Sequence, residues 1–509
     1  MGCGSPADDE RIERSNKKRV TQSKNKDIRK NYEFISMLGN GTFGKVRLYR
    51  DRNYKDLLFA IKTLKKEGIP PYQFQLLKSE VNILSNMDHP NIVKYFGTFE
   101  DQYHIHIVME YLKGQDLLKI ISLKNYTHFE EKYMCQIIHQ LLKALAFIHS
   151  KNIIHRDIKP ENILFSDKRN YSTLKLIDFG LATFSKHDHK SVGTPFYMSP
   201  EMIDGNSDPL SDMWSVGVIV YQMITGKLPF EVKNKENENL YDKIKNENYN
   251  TENLEDIEYS DEVKDFISKA LQKDVNARMT IQQAMNHPWI QKFCIKSIDK
   301  SLLTNESIRM FLEFSKKTIL QKEILYFFAK VSNEKEIAHF KKIFNQFDSN
   351  NIGSLSFEDF QNGFKKIGID VDDIILQTIF EGLNFHQSGR ISYSEFLSAM
   401  VSSKNFSKDD KITSVFNLLK ENEQNRNYIT YESLYNAGKA LNLNINEEEI
   451  KKCFKEYGSG INFENFEKLV NKDKTDTKSV TIIMKDYSSK NRKLLRSLTE
   501  KKDTKEFDI

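Results

Sequence analysis

The sequence has few of the residues that mark membrane-spanning or disulfide-bonded proteins. Its 509 residues include only four cysteines, which lie far apart: Cys3, Cys135, Cys294 and Cys453. That spacing argues for a reducing compartment and against a disulfide framework or a cysteine-based zinc site. No apolar run approaches the roughly 18–20 residues that a membrane-spanning helix requires. We therefore expect a cytoplasmic protein, and the small net charge of +5 gives no reason to expect a nucleic-acid partner.

The composition suits a globular protein of two or more domains, because 509 residues exceed what one core usually holds. From residue 32 to 108 β-branched and aromatic residues alternate as in strands, with one helical stretch at 73–87. From Leu117 onward the pattern is helical, although the polar residues 231–260 predict a long surface connection. The sequence thus predicts a small β-rich lobe followed by a larger helical lobe.

A glycine pattern lies in the β-rich lobe, where Gly39, Gly41 and Gly44 form G-x-G-x-x-G. This pattern alone also fits an ordinary turn or a dinucleotide site, but a dinucleotide site opens a helix, and strand-like residues flank this one. A glycine-rich hairpin brings backbone N–H groups over phosphates without side-chain clash. The residues assigned to this nucleotide-binding hairpin are Leu38, Gly39, Asn40, Gly41, Thr42, Phe43, Gly44, Lys45 and Val46.

The most specific motif is the run HRDIKPEN from residue 155 to 162. The tripeptide DFG follows at 178–180, and SPE follows at 199–201. Together with the glycine pattern and the run FAIK that ends at Lys62, these blocks stand in the order found in protein kinases. The chain therefore resembles the eukaryotic protein kinases. The resemblance implies a bilobal kinase fold over residues 32–290 that uses ATP and Mg²⁺.

The resemblance also implies roles for the catalytic residues. Asp157 would accept or orient the proton of the substrate hydroxyl, and Lys159 would neutralise charge on the transferred phosphoryl group. Lys62 would grip the α- and β-phosphates of ATP, held in place by an ion pair with Glu80 on the predicted helix. Asp212 resembles the residue that braces the catalytic loop.

The same resemblance assigns residues to Mg²⁺ and to the nucleoside. Asn162 and Asp178 would hold the Mg²⁺ ions that bridge the phosphates. The segment with Glu110 and Leu112 resembles the hinge whose backbone meets adenine. Asp116 follows the hinge and is assigned to the ribose of ATP.

Several residues bear on the substrate. Lys159, together with Gly-Thr-Pro at 193–195, resembles serine/threonine kinases rather than tyrosine kinases. Glu161 and Asp116 offer carboxylates near the implied peptide groove, which predicts protein substrates with arginine or lysine near the acceptor. For Asp116, a ribose contact alone is an equally good interpretation.

The pattern changes after residue 290. Residues 297–331 have a basic, apolar helical pattern, and residues 332–470 repeat a helix–loop–helix pattern. One loop position is always aliphatic, which predicts that loops pair through a short β-contact; its residues are Leu355, Ile391, Ile429 and Ile461. This layout resembles the calcium-dependent protein kinases of plants and protists over residues 32–470. It implies an α+β chain in which a bilobal kinase precedes an autoinhibitory junction at 297–331 and an all-α domain of four EF-hand-like units.

The predicted calcium loops lack many of the ligands that calcium needs. An EF-hand loop supplies oxygens at positions 1, 3, 5, 7 and 9 and a bidentate glutamate at position 12. The first loop keeps Asp348 and Asn350 but has an isoleucine at position 5 and the shorter Asp359 at position 12. The second keeps Glu395 at position 12 but has His386 at position 3. The last two loops lack still more acids, so calcium is predicted to bind weakly at best, with Asp348, Asn350 and Asp359 as candidate ligands.

Both ends of the sequence are basic. Residues 1–31 are predicted to form a disordered arm that starts Met-Gly-Cys, and two alternatives stay open for it. Either Gly2 and Cys3 are acylated and attach the protein to a membrane surface, for which two chains are needed, or the arm is free and polar. Pro6 stands where a serine or threonine usually follows an acylated glycine. Residues 471–509 are predicted to form a solvated basic tail.

Two alternatives to the kinase interpretation belong to other functional classes. A catalytically inactive kinase fold could serve as a scaffold that presents the C-terminal units to a partner. Inactive kinases usually lack one of the positions filled here by Lys62, Asp157 and Asp178, and none of the three is missing. A calcium sensor with a secondary kinase domain is the other alternative, and the degraded loops argue against it.

Overall fold

A five-stranded antiparallel sheet forms the first lobe. Its strand order is β1-β2-β3-β5-β4. The strands are β1 (Tyr32–Gly41), β2 (Gly44–Asp51), β3 (Leu58–Lys65), β4 (Tyr95–Glu100) and β5 (His104–Glu110). Helix α1 (Pro71–Ser85) contacts β4 and starts with a proline, whose missing N–H costs no bond in the first turn.

The structure, a computed structural model, describes most of the chain between residues 28 and 471. The described residues are 28–30, 32–41, 44–52, 57–67, 70–123, 129–168, 173–184, 191–232, 239–255, 258–294, 303, 305–369, 371–401, 409–420, 427–440, 447–455, 457–458 and 460–471. The predictions for Gly2, Cys3, Thr42 and Phe43, and for the tail beyond residue 471, lie outside them. Among the described residues no helix is long and apolar enough to cross a membrane.

The second lobe is helical. Its helices are α2 (Leu117–Leu123), α3 (Glu131–Ser150), α4 (Pro200–Ile203), α5 (Pro209–Thr225), α6 (Leu240–Asn246), α7 (Glu252–Glu255), α8 (Asp261–Ala270), α9 (Ile281–Met285) and α10 (Pro288–Cys294). Helix α5 is the buried centre, begun by a capping box between Asp208 and Ser211 and ended at Gly226. A short hairpin of β6 (Ile163–Phe165) and β7 (Leu174–Leu176) lies between the predicted catalytic loop and the DFG segment.

The prediction of a surface connection at 231–260 is wrong in part, because helices α6 and α7 lie within it. Asn239 caps α6 by accepting a hydrogen bond from the Tyr241 N–H, and Ile244 packs into the core. These helices are too short to show a helical period in such a polar segment.

The junction forms two helices rather than one. They are α11 (Asn305–Ser315) and α12 (Ile319–Val331), and Thr318 with Gln321 forms a capping box that starts the second. The apolar face that the sequence shows is buried: Phe311, Phe314 and Phe328 are all within 1% of full burial. Both helices pack on helices of the C-terminal units.

The C-terminal units pair as the aliphatic loop positions predict. Their helices are α13 (Glu334–Phe347), α14 (Phe357–Ile367), α15 (Asp373–Leu383), α16 (Tyr393–Met400), α17 (Asp409–Leu419), α18 (Tyr431–Ala440), α19 (Glu447–Phe454) and α20 (Phe463–Asn471). Strand β8 (Ser354–Leu355) pairs with β9 (Ile391–Ser392), and β10 (Tyr428–Ile429) pairs with β11 (Ile461–Asn462). The predicted β-contacts between loops are therefore confirmed.

The kinase-like lobes and the C-terminal units share a polar interface. Asp88 accepts hydrogen bonds from the Ser394 N–H at 2.9 Å and hydroxyl at 2.6 Å, and lies 3.1 Å from Lys330 Nζ. Burial raises the pKa of Asp88, but Lys330 and the Ser394 bonds outweigh it and lower the pKa to about 2. Lys175 Nζ lies 3.0 Å from Glu110 and 3.3 Å from Glu334. The interface thus ties the hinge segment to the start of the first C-terminal unit.

Two cysteines that are far apart in sequence meet in space. Cys135 Sγ on α3 lies 3.0 Å from Cys294 Sγ on α10, and both are free thiols. Burial and the neighbouring thiol raise the pKa of Cys135, with the hydrogen bond to Cys294 as the larger cause. Thiols with a raised pKa are poor nucleophiles.

Candidate active site

Lys62 lies in a buried cluster of charges that joins the two lobes. Its Nζ is 2.6 Å from Glu80 Oε1 on α1 and 3.0 Å from Asp178 Oδ1 after β7. Burial lowers the pKa of Lys62, but the two carboxylates outweigh it and raise the pKa. The Lys62–Glu80 ion pair predicted from the sequence is confirmed, and it holds a charged ammonium beside Asp178.

Asp157 has a polar partner on each carboxylate oxygen. Lys159 Nζ lies 2.8 Å from Oδ2, and Asn162 Nδ2 donates to the same oxygen at 3.0 Å. The Thr194 hydroxyl donates to Oδ1 at 2.7 Å and accepts from Lys159 Nζ at 2.7 Å. The structure therefore brings Asp157, Lys159 and Asn162 together, and it adds Thr194, a contact that the sequence did not predict.

Asp212 on α5 fixes the backbone of the catalytic loop. Its two carboxylate oxygens accept from the N–H groups of His155 and Arg156, each at 3.0 Å. The predicted brace is thus confirmed. Arg156 has φ 66° and Asp178 has φ 57°, which non-glycine residues rarely adopt and which the surrounding bonds must enforce.

The glycine-rich hairpin is formed by the ends of β1 and β2. A Cβ on Gly44 would come within 2.4 Å of the Thr63 carbonyl oxygen on β3, so only glycine allows this approach. Leu38 and Lys45 are exposed, Gly39 has open space around it, and Val46 is half-buried. The backbone of Asn40 and Gly41 belongs to β1, whereas Thr42 and Phe43 lie outside the described residues.

The hinge residues lie at and after the end of strand β5, and the carboxylates among them already have hydrogen-bond partners within the protein. The Glu110 N–H donates to the Lys94 carbonyl at 3.0 Å, and its carboxylate accepts from the Lys94 N–H at 2.7 Å. Leu112 is buried. Asp116 accepts from the Lys119 N–H at 2.8 Å and pairs with Lys119 Nζ at 3.0 Å, so it caps the start of α2.

Asn162 and Asp178 fit the Mg²⁺ role by their donor chemistry. Mg²⁺ takes oxygen ligands, usually one or two carboxylates together with substrate phosphates. Asn162 directs its Nδ2 to Asp157, so Oδ1 is the atom that a metal ion would use. Asp178 supplies the carboxylate, and the neighbouring Lys62 supplies the positive charge that phosphates require.

The first C-terminal loop is closed by its own hydrogen bonds. Asp348 accepts from the Ile352 N–H at 2.9 Å and the Gly353 N–H at 2.8 Å. Asn350 Nδ2 donates to Asp359 Oδ1 at 3.0 Å, and the Arg390 guanidinium lies 3.1 Å from Asp359 Oδ2. The three candidate calcium ligands are in one loop, but a cation of the protein already pairs with the residue at position 12.

That loop also packs on the kinase-like region. A Cβ on Gly353, which has φ +72°, would lie 2.4 Å from His89 Cδ2 and 2.8 Å from Phe147 Cδ2. Glycine is therefore required both by the backbone conformation and by the close contact. The loop is part of the interface between the two regions.

The second loop contains a buried histidine between two glutamates. His386 Nδ1 lies 3.1 Å from Glu395 Oε1, and Nε2 lies 3.2 Å from Glu323 Oε1 on junction helix α12. Burial lowers the pKa of His386, but the two carboxylates outweigh it and raise the pKa to about 10. A charged imidazole therefore lies beside the glutamate that would bind calcium in an intact loop.

Sequence reasoning missed the residues of the interface. Asp88 is separated by 242 residues from Lys330 and by 306 from Ser394. Lys175 and Glu334 are also far apart in the sequence. No local sequence pattern predicts such contacts. The one weak indication is Lys175 in the short strand β7, because a buried lysine almost always has a charged partner.

Comparisons with known proteins agree with this geometry. The protein kinase domain family matches residues 32–290, and the EF-hand domain pair matches residues 337–401, which covers the first two C-terminal units. Calcium-dependent protein kinase 5 of Plasmodium falciparum (isolate 3D7) is 32% identical over 445 residues, covering 85% of this chain and 76% of that protein. Calcium-dependent protein kinase 7 of Arabidopsis thaliana is 30% identical over 430 residues, covering 83% of this chain and 78% of that protein. Calcium-dependent protein kinase 3 of Plasmodium yoelii yoelii is 33% identical over 381 residues, covering 73% and 68%.

Proposed function

The chain belongs to the calcium-dependent protein kinase family, and from that premise we propose that Lys62, Asp157 and Asp178 line the site where it phosphorylates serine or threonine. It is an ATP-dependent protein kinase with a C-terminal EF-hand region. The observation that carries the proposal is the pair of contacts made by Asp157, to Lys159 at 2.8 Å and to the Thr194 hydroxyl at 2.7 Å. The alternative of a catalytically inactive scaffold has no support.

Each charged residue has a defined task in the transfer. Asp157 already accepts a hydrogen bond from a hydroxyl, so it is suited to take the proton of a substrate hydroxyl as that oxygen bonds to the γ-phosphorus of ATP. The bond between the γ-phosphorus and the bridging oxygen breaks, and ADP leaves. Lys159 offsets negative charge beside Asp157, and Lys62 grips the α- and β-phosphates. Asn162 and Asp178 would hold Mg²⁺, which would neutralise negative charge on the phosphates.

An Asp157→Ala exchange tests this assignment. Turnover on a serine peptide should fall by about 10²–10⁴-fold, the range for a lost general base, while the fold is retained. Lys151→Ala, an exposed residue just before the catalytic loop, is the control and should leave turnover unchanged. Undiminished activity in Asp157→Ala would refute the mechanism.

Substrates with basic residues near the acceptor fit the surface of the cleft. Glu161 is exposed and lies within the catalytic loop. Asp116 is paired with Lys119, so Glu161 is the stronger candidate for contact with a substrate lysine or arginine. Glu161→Gln should raise KM for basic peptides and leave neutral peptides unaffected. A preference of the unmodified kinase for acidic peptides would overturn the assignment.

We expect calcium to bind this C-terminal region only weakly. Arg390 pairs with Asp359 in the first loop, and His386 pairs with Glu395 in the second, so a cation of the chain already neutralises each position-12 carboxylate. Calcium would have to displace these ion pairs, and neither loop retains enough acidic ligands to compensate for the interactions lost. Binding weaker than roughly 10⁻⁴ M is therefore expected in both loops. The EF-hand fold then serves to hold the junction in place, and calcium relieves inhibition only weakly or not at all.

We further propose that the protein is cytoplasmic and attaches to a membrane surface through its N-terminus. The support is the sequence Met-Gly-Cys followed by a basic stretch. Acylation of both Gly2 and Cys3 would give the two chains that stable attachment needs, whereas an unmodified arm would leave the protein free. Flotation with anionic vesicles distinguishes these cases, because Gly2→Ala should abolish flotation of the protein purified from its own cells. Equal flotation of both forms would exclude acylation as the cause.

A further inference from the structure

The turn between β4 and β5 holds a cluster of potential metal ligands that has no part in phosphoryl transfer. Asp101, His104 and His106 each offer one ligand atom, and these atoms all lie within 4.8 Å of one another. Among the described residues it is the only such group of three. We propose that Asp101, His104 and His106 bind a divalent transition-metal ion, with Zn²⁺ as the ion that fits them best.

The local fold brings the three side chains together. The Asp101 N–H donates to the His104 carbonyl at 3.0 Å, which closes a tight turn between the strands. His104 and His106 are separated by one residue on β5, so their side chains lie on the same face of the sheet. The two rings are 5.8 Å apart between centroids. Asp101 reaches the same face because its Oδ1 accepts from the N–H groups of Tyr103 and His104, at 2.8 and 2.7 Å.

Each imidazole lies near one oxygen of Asp101, at a separation close to that between two ligands of a tetrahedral zinc ion. Asp101 Oδ2 lies 3.2 Å from His106 Nε2, and Asp101 Oδ1 lies 3.5 Å from His104 Nδ1. Two atoms that are each about 2.0–2.2 Å from a tetrahedral zinc ion lie roughly 3.3–3.6 Å apart. Because the two imidazoles face different oxygens, the carboxylate must rotate to bring one oxygen to an ion that both histidines share.

A hydrogen bond behind His106 orients its ring. The Thr63 hydroxyl on β3 lies 3.0 Å from His106 Nδ1. With Nδ1–H donating to Thr63, the lone pair of Nε2 points to the ion, which is the usual arrangement of a metal-binding histidine. The nearby ammonium of Lys66 is bonded to Glu100 at 2.7 Å and to the Asp101 carbonyl at 2.5 Å, so its recorded contacts do not include the Asp101 carboxylate.

The donor set decides which ion is bound. Two imidazoles and one carboxylate suit Zn²⁺, whereas Ca²⁺ and Mg²⁺ prefer oxygen ligands alone. The His106 side chain is 5% exposed, but those of His104 and Asp101 are 34% and 27% exposed, which gives the ion a path and leaves room for a water ligand. A bound ion would clamp the turn beside β4, the strand that helix α18 contacts.

Calorimetric titration with Zn²⁺ tests the site in the tag-free full chain, stripped with a chelator and kept in Mg²⁺. His104→Gln should weaken Zn²⁺ binding at least about tenfold. His339→Gln, which removes an exposed histidine from α13, is the matched control and should bind as the unmodified chain does. Thr63→Val, which keeps the ligands but removes the orienting hydroxyl, should weaken binding about tenfold.

A second readout locates the ion. Co²⁺ added to the unmodified chain and to His339→Gln should give visible absorption bands that His104→Gln lacks. Binding of equal strength in His104→Gln would place the ion elsewhere, for example at His187 and His189, which lie outside the described residues, and would overturn the proposal. Absence of Zn²⁺ binding to the unmodified chain would also overturn it and leave the cluster as a hydrogen-bonded turn.

Discussion

His386 is the residue on which the proposed weak calcium binding of the second loop depends. Its ring bridges Glu395 of the loop and Glu323 of the junction helix, and it is nearly buried. Because its pKa is raised to about 10, the imidazole is charged at neutral pH and links the loop to the junction without any metal ion. A side-chain cation has thus taken the place of a ligand.

The pH dependence of stability follows from this raised pKa. A group with a raised folded-state pKa stabilises the protein fully below its unfolded value, near 6.5, and loses that contribution as pH rises through about 10. His386→Gln should therefore lower the melting temperature of the C-terminal region most at pH near 6, by the equivalent of roughly 3 kcal/mol. The difference should shrink toward pH 10. A pH-independent difference between the two proteins would show that the charge of His386 is unimportant.

At the scale of elements, the second loop is the one whose calcium affinity two substitutions should raise. Asn384→Asp combined with His386→Asp restores acids at positions 1 and 3, beside the retained Glu395 at position 12. The full chain carrying both changes should bind calcium about tenfold or more tightly than the unmodified chain, whose loops are expected to be weaker than roughly 10⁻⁴ M. Calorimetric titration provides the comparison.

A matched control separates charge from the mere loss of histidine. Asn384→Asp with His386→Asn removes the imidazole but adds only one acid. It should bind calcium more weakly than the double-aspartate form, because affinity rises with ligand charge. Micromolar binding by the unmodified chain would mean that the missing ligands matter less than we infer.

At the scale of elements, the sequence predicts what is local and misses what is distant. The run HRDIKPEN predicts the contacts among Asp157, Lys159 and Asn162, because neighbours in one loop are close in any fold. The aliphatic loop positions predict the β8–β9 pairing for a different reason, because the period of the repeat sets the register. The break at Thr318 and the short helix α6 give no clear periodic signal, and so the sequence did not show them.

At the scale of the whole molecule, Asp88 fixes the junction in its observed place. It pairs with Lys330 of α12 and with Ser394 of α16, and the Lys330 side chain is only 7% exposed. Lys94 Nζ adds bonds to the carbonyls of Lys330 and Ser332, at 3.2 and 3.1 Å. These contacts bind the junction to the kinase domain.

Breaking this interface should release the junction. Asp88→Ala leaves Lys330 buried without its carboxylate, a loss of about 3–5 kcal/mol for such a pair. If the junction inhibits from its observed place, as its resemblance implies, the full chain with Asp88→Ala should gain several-fold in activity, whereas a chain ending at residue 296 should be unaffected by the same change. Asp242→Ala, at an exposed position on α6, is the control.

The same truncation tests the inhibitory role of residues 297–331, which remains a prediction. Removal of residues 297–509 should raise activity if the junction inhibits. Unchanged or lower activity would make the junction a brace for the two lobes. Equal activity of Asp88→Ala and the unmodified full chain would show that the interface does not control catalysis.

The most direct test of the proposal that this kinase does not need calcium is one phosphorylation assay of the purified full chain. The rate of Mg·ATP-dependent transfer to a basic serine peptide is measured with micromolar calcium and with a calcium chelator, with Asp157→Ala as the inactive control. We expect the same rate in both conditions and a loss of about 10²–10⁴-fold in the control. A rate that rises several-fold with micromolar calcium would contradict the role given to His386 and Arg390.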